Sequence, residues 1–240
     1  MKKQMRYPKV LISFPTSDKK DYCVDDFVNQ IKGFTYPLYD IFVVDNSKDK
    51  EHVKEWWKRG IKAVHEPLKG NFREELTRHQ NIIRSFFLNG DYDYLLMIES
   101  DVFTGECIIE NLVSYAEAYR ASIVTATYEI QQDEAKLCLT STVDGLAVRS
   151  EKILPRELGY SIMGRGCVPL QKLMKDPDAR LTATGIGCTL FGREVLEDNK
   201  FRVDLELNAG AFSDTFIFSD ALRQGYEVLI NSDLICEHRK

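Results

Sequence analysis

The first hundred residues alternate between short β-branched or aromatic runs and amphipathic stretches, and that rhythm is the strongest constraint on the fold. Residues 10–14, 41–44 and 61–64 have strand composition, while residues 22–31 and 52–57 between them have helical spacing. Strand, helix, strand, helix, strand predicts a parallel sheet with right-handed crossovers. A longer helix follows: Asn71 and Glu74 have capping-box spacing, Phe72, Leu76, Ile83 and Phe87 recur at helical intervals, and Asn89-Gly90 stops it. Residues 92–98 then read as a buried strand.

With 240 residues, 44% of them hydrophobic, the chain suits one large α/β domain, residues 1–240, and is short for two. After Asp101 the pattern predicts a helix over 108–119, strands near 123–128 and 137–148, and a Gly/Pro-bearing stretch over 155–180 that reads as a lid or binding loop, with simple disorder as the alternative, before the chain runs on through 184–191. A helix over 214–224 and paired strands near 228–230 and 234–236 complete the chain.

The net charge of -5 gives no broad surface for nucleic acid, so a nucleic-acid acceptor is not favoured. Cys23, Cys107, Cys138, Cys167, Cys188 and Cys236 form no C-x-x-C pair and read as reduced, mostly buried thiols. The apolar run after the basic start is too short for a signal sequence, and no stretch spans a bilayer. A cytoplasmic protein is expected, with peripheral contact to a membrane-bound acceptor left open.

The most informative segment is LLMIESD. Side chains alternate along a strand, so Glu99 and Asp101, on either side of Ser100, project to one side at its carboxyl end, the edge where open parallel sheets bind ligands. Two carboxylates there repel unless a cation or proton lies between them. Oxygen ligands suit Mg2+ or Mn2+, which a diphosphate can share; the alternative is a solvated acidic turn. FPTSD and VVDNSKD likewise put Pro15, Thr16, Asp45, Asn46 and Ser47 at strand ends, where a base and ribose would meet them. Asp45 is suited to accept from a base N–H or a ribose hydroxyl, although Asp-Asn-Ser also makes a turn or helix cap. Gly185 and Gly187, in TGIGC, allow bare backbone to approach a sugar or acceptor, or else mark a strand bulge. Trp56 and Trp57 read as packing or surface residues.

The order of FPTSD, VVDNSKD, TRHQN, GDYDYLLMIESD, TGIGCTLFGREVL and SDTF…LRQGYEVLINSDLICEH resembles glycosyltransferase family 2 of the GT-A fold, along nearly the whole chain. The resemblance implies a Rossmann-like, mostly parallel central sheet flanked by helices, with a nucleotide-binding half (1–102) and an acceptor-binding half (103–240). It implies that Thr16, Asp45 and Ser47 line a nucleoside pocket and that Arg78 reaches the donor, with a solvated helix Arg as the competing reading. The family's Asp-x-Asp is Glu-x-Asp here, so the resemblance makes Asp101 the direct metal ligand and Glu99 a longer arm working through water or ribose. Asp214, eleven residues before Gly225, and His238, thirteen after it, match the family's base and metal-binding histidine. Asp214 would then take the proton of the acceptor hydroxyl in an inverting transfer, and His238 would join Asp101 on the metal. The competing readings are a helix N-cap for Asp214 and a frayed basic tail, Glu237-His238-Arg239-Lys240, for His238, which lies close enough to the chain end for metal or donor binding to contribute to its order.

The implied reaction is transfer from a nucleoside-diphosphate sugar, a uridine one by family habit, to a hydroxyl on a glycan, a lipid-linked glycan or another acceptor. The cofactor is divalent Mn2+ or Mg2+. A retaining glycosyltransferase, a non-catalytic nucleotide-binding relative and a sugar nucleotidyltransferase are the alternatives, the last lacking its glycine-rich triphosphate loop.

Overall fold

A computed structural model describes residues 7–128, 136–137, 139–143, 154–155, 167–169, 179–206 and 212–239. Most of the predicted lid over 155–180, and the end of the strand predicted over 137–148, lie outside these residues.

The predicted alternation is present as β1 (Val10–Thr16), α1 (Val24–Lys32), β2 (Tyr39–Asp45), α2 (Val53–Lys58) and β3 (Lys62–His65). The longer helix α3 (Phe72–Asn89) follows, capped by Asn71, whose side chain accepts from the Arg73 amide. Next come β4 (Tyr94–Ile98), β5 (Val102–Phe103), α4 (Ile108–Tyr119) and β6 (Ile123–Tyr128). The shorter strands β7 (Lys136–Leu137), β8 (Leu139–Val143), β9 (Leu154–Pro155) and β10 (Cys167–Pro169) lead to β11 (Ala179–Thr184) and β12 (Cys188–Gly192). The chain continues through α5 (Arg193–Asp198), α6 (Ser213–Arg223) and β13 (Val228–His238).

One sheet runs in the order β10-β13-β6-β12-β4-β1-β2-β3, with β5 paired to β13. Strands β3, β2, β1 and β4 are parallel, β12 is antiparallel between β4 and β6, and β13 is parallel to β6. This is a mixed α/β domain with a mostly parallel sheet.

Strand β1 shows why helices cover both faces. Val10, Ile12 and Phe14 face a core with α1, α2 and α4, while Leu11 faces a second core with α3, α5 and α6. A strand apolar on both faces must be covered twice, the mark of a parallel sheet.

The paired strands expected near 228–230 and 234–236 are instead one strand. Both parts of β13 pair with β6, Asn231 opposite Ala126 and Ile235 opposite Thr127, with the intervening residues bulged out. The polar Asn231-Ser232-Asp233 reads as a turn in sequence, but a bulge accommodates it without reversing the chain. Among the described residues no helix is long and apolar enough to cross a membrane.

Candidate active site

Strand β4 delivers the acidic pair. Beyond Ile98 the chain turns, with the Val102 amide donating to the Glu99 carbonyl at 2.9 Å and the Glu99 amide to the Gly187 carbonyl at 2.9 Å. This turn feeds β5, and β5 receives the end of β13, pairing His238 with Val102 and Glu237 with Phe103. His238 Nε2 is thereby brought to 3.2 Å from Asp101 Oδ2. The tail makes several contacts with the rest of the chain. The Arg239 amide donates to the Asp101 carbonyl at 2.9 Å, and the Arg239 side chain stacks 3.7 Å from the Phe103 ring centre and pairs with Asp26 at 2.8 Å.

Glu99, Asp101 and His238 offer ligand atoms within 4.8 Å of one another. Burial, reinforced by the neighbouring Asp101 charge, pushes the Glu99 carboxyl up to about 7. Burial would also raise Asp101, but hydrogen bonds from His238 and Lys20 outweigh it and hold that carboxyl below its ordinary value. Two carboxylates and an imidazole within that span form a donor set that fits Mn2+ or Mg2+, and a dication between them would relieve the repulsion that adds to the effect of burial on Glu99.

Glu99 and Asp101 sit on a cavity of about 830 Å3 at the carboxyl ends of β1 and β4, a volume in the range of small-molecule sites, while His238 adjoins Asp101 without being one of the lining residues. Of the residues predicted from sequence, Pro15, Thr16, Asn46, Glu99, Ser100, Asp101 and Asp214 line it. Thr16 and Ser100 share a hydrogen bond of 3.0 Å that ties the two strand ends together.

Asp214 lies in the first turn of α6, where Phe212 is the N-cap. Its Oδ1 accepts from the Thr215 amide at 2.7 Å. Burial pushes its pKa up to about 6, against the pull of the Thr215 hydrogen bonds.

Other predicted residues turn elsewhere. Asp45 is fully buried, its Oδ1 accepting from the Ser47 amide at 2.8 Å and its Oδ2 lying 2.5 Å from His52 Nδ1 and 3.1 Å from Trp56 Nε1. These donors satisfy the buried carboxylate, and neither Asp45 nor Ser47 is among the lining residues. Ser47 Oγ accepts from the Asp18 amide at 2.9 Å and so binds the β2 turn to the turn after β1. Arg78 is fastened to Glu66 at 2.6 Å and Glu75 at 2.8 Å rather than lining the cavity. Gly185 and Gly187 do not line it either, whereas Ile186 between them does. A Cβ on Gly187 would stand 2.8 Å from the Tyr128 ring, so its bare face makes room for a side chain.

Sequence reasoning missed several lining residues, including Lys19, Lys20, Lys48, Phe72, Gln80 and Phe212. Lys20 hydrogen-bonds Asp101 Oδ2, and Gln80 accepts from the Ser213 hydroxyl beside Asp214. The only signal for Gln80 is its place one turn from Leu76 in the helix that also carries Arg78.

Solved structures share this architecture. The mannosyltransferase PcManGT from Pyrobaculum calidifontis, in complex with GDP-Man and Mn2+, superposes with a TM-score of 0.64 over 97% of this chain at 17% identity. TarS of S. aureus matches with a TM-score of 0.60 over 97% of the chain at 13% identity, and its 1–349 form in complex with UDP-GlcNAc with 0.56 over 97% at 13%. The chain has a glycosyltransferase fold. It spans 57% of PcManGT and 37% of the longer TarS chain, so it matches part of each. No protein-family model and no curated protein matches the sequence.

Proposed function

We propose that this chain is a metal-dependent glycosyltransferase that moves a sugar from a nucleoside-diphosphate donor, a uridine one by resemblance, to an acceptor hydroxyl with inversion. The observation that carries the reading is that one cavity is lined by residues for both ends of such a reaction: Asp101 and Glu99, which His238 adjoins, and Asp214. The complexes of PcManGT with GDP-Man and Mn2+ and of TarS with UDP-GlcNAc support it by fold.

Asp101, His238 and Glu99 would hold the divalent ion, which when bound supplies positive charge to the leaving diphosphate. Lys19, Lys20 and Lys48 add positive charge along the same cavity. Pro15, Thr16 and Asn46, at the ends of β1 and β2, are placed for the nucleoside. Asp214 accepts the proton of the acceptor hydroxyl as its oxygen bonds to the anomeric carbon and the bond to diphosphate breaks. A carboxylate with a pKa of about 6 is mostly ionised at neutral pH yet more basic than an exposed one. The first turn of α6 favours its charged form. Residues 1–240 act as one domain in this reading, with a nucleotide half (1–102) and an acceptor half (103–240).

The test is calorimetry of UDP, GDP, CDP and their sugars, each with and without Mn2+, on the wild type and Asp101→Ala. Metal-dependent binding of one diphosphate, lost in the variant, is expected. Absence of nucleotide binding under every metal condition would leave the acidic turn as a structural feature.

A further inference from the structure

The oxygen of Asp101 that His238 approaches at 3.2 Å is the one that Lys20 also holds. Resting on the reading of the cavity as a donor and metal site, we propose that Lys20 is an exchangeable counter-cation. Its ammonium occupies Asp101 until a divalent ion takes that carboxylate, and then turns to the donor diphosphate.

The backbone that carries Lys20 is anchored. It closes the short turn Asp18–Lys20 after β1, where Ser17 Oγ accepts from the Lys19 amide at 3.3 Å. The Cys23 amide donates to the Lys20 carbonyl at 3.2 Å. The Cys23 sulfur lies 3.4 Å from both the Lys20 and Ser100 carbonyl oxygens, so Lys20 is tied to the same turn that presents Asp101. The side chain, in contrast, lines the cavity and is 38% exposed, on a four-carbon stem that can re-aim without backbone movement.

Ammonium and dication exclude each other at this oxygen. An ion bound to Asp101 and His238 would sit about 2 Å from Oδ2, a few ångströms from the ammonium. The Asp101 side chain is only 4% exposed, so water and salt screen that repulsion poorly. The displaced ammonium stays on the cavity wall with Lys19 and Lys48, where the diphosphate that shares the ion would lie. Ion and nucleotide then assist each other reciprocally: the ion frees Lys20 for phosphate, and phosphate draws Lys20 off Asp101.

The test is Mn2+ titration followed by electron paramagnetic resonance of the free ion, with and without UDP and, in parallel, GDP. It uses the wild type, Lys20→Met and Lys20→Arg, with Asp101→Asn as the site control. Lys20→Met should bind Mn2+ alone at least about fivefold more tightly than the wild type, and the factor by which nucleotide raises Mn2+ affinity should shrink by a similar amount. Lys20→Arg should keep both wild-type values. Removing a bystander charge would tighten Mn2+ equally with and without nucleotide. That outcome, or unchanged Mn2+ affinity in Lys20→Met, overturns the exchange while leaving the donor-site reading intact, provided the wild type binds Mn2+ together with UDP or GDP. A wild type that takes neither ion nor nucleotide overturns both.

Discussion

Asp214 and His52 are the two residues whose protonation the structure ties most directly to behaviour. Only ionised Asp214 can accept a proton, and burial sets its pKa at about 6, so kcat for transfer should rise with pH through that value and level off above it. Asp214→Asn preserves volume while removing basicity, so kcat should fall at least about 100-fold with UDP affinity unchanged; near-normal turnover would remove Asp214 as the base. At His52, burial alone would lower the pKa, but hydrogen bonds to Asp45 and Asp21 outweigh it and hold the pKa above its ordinary value. A raised histidine pKa stabilises the fold fully below the unfolded value of about 6.5, and that stability is lost as pH rises through the folded pKa. Urea denaturation across this range should therefore show wild type losing its advantage over His52→Gln as pH increases. The difference between the two proteins isolates His52, because Glu99 and Asp214 also carry raised pKa values. Asp101 and Asp214 could be picked out in sequence because chain position and motif spacing single them out. Lys20 could not, because a lysine in a turn looks solvated until the fold sets it against a carboxylate 81 residues away.

At the scale of elements, strand alternation and helical period made β1 to β4 and α4 legible, since each is decided by its own apolar spacing. The role of β13 was not, because β6 and β5, with which it pairs, lie more than a hundred residues earlier and its polar centre imitates a turn. The glycine pair was legible as a place of close approach, but what approaches Gly187 is Tyr128 of β6. That ring also stands edge-on to His238, with centroids 5.7 Å apart. Gly187→Ala should push the ring toward the histidine and strain the packing by roughly 1–3 kcal/mol. Urea unfolding would register the lost stability, and Mn2+ titration should show weakened binding although no ligand atom has been changed. Unchanged Mn2+ affinity alongside the lost stability would confine Gly187 to a packing role.

For the whole molecule, the cavity is assembled from segments far apart in sequence: the ends of β1 and β4, Ile186 before β12, and the first turn of α6, with His238 of β13 behind Asp101. No stretch of sequence announces such a meeting; it follows from antiparallel β12 standing between β4 and β6, and from β13 lying beside β6 with its end on β5. A ligand that bridges these segments binds the folded arrangement and not its separated parts, so it should suppress local opening in all of them together. Hydrogen exchange with saturating Mn2+ and UDP should show slower amides around 99–102, 213–217 and 236–239, with no change on the remote edge strand β3. Protection confined to the β1 and β4 ends would mean that the nucleotide binds without engaging α6 and β13. The base and the histidine ligand would then have to be sought in another part of the chain.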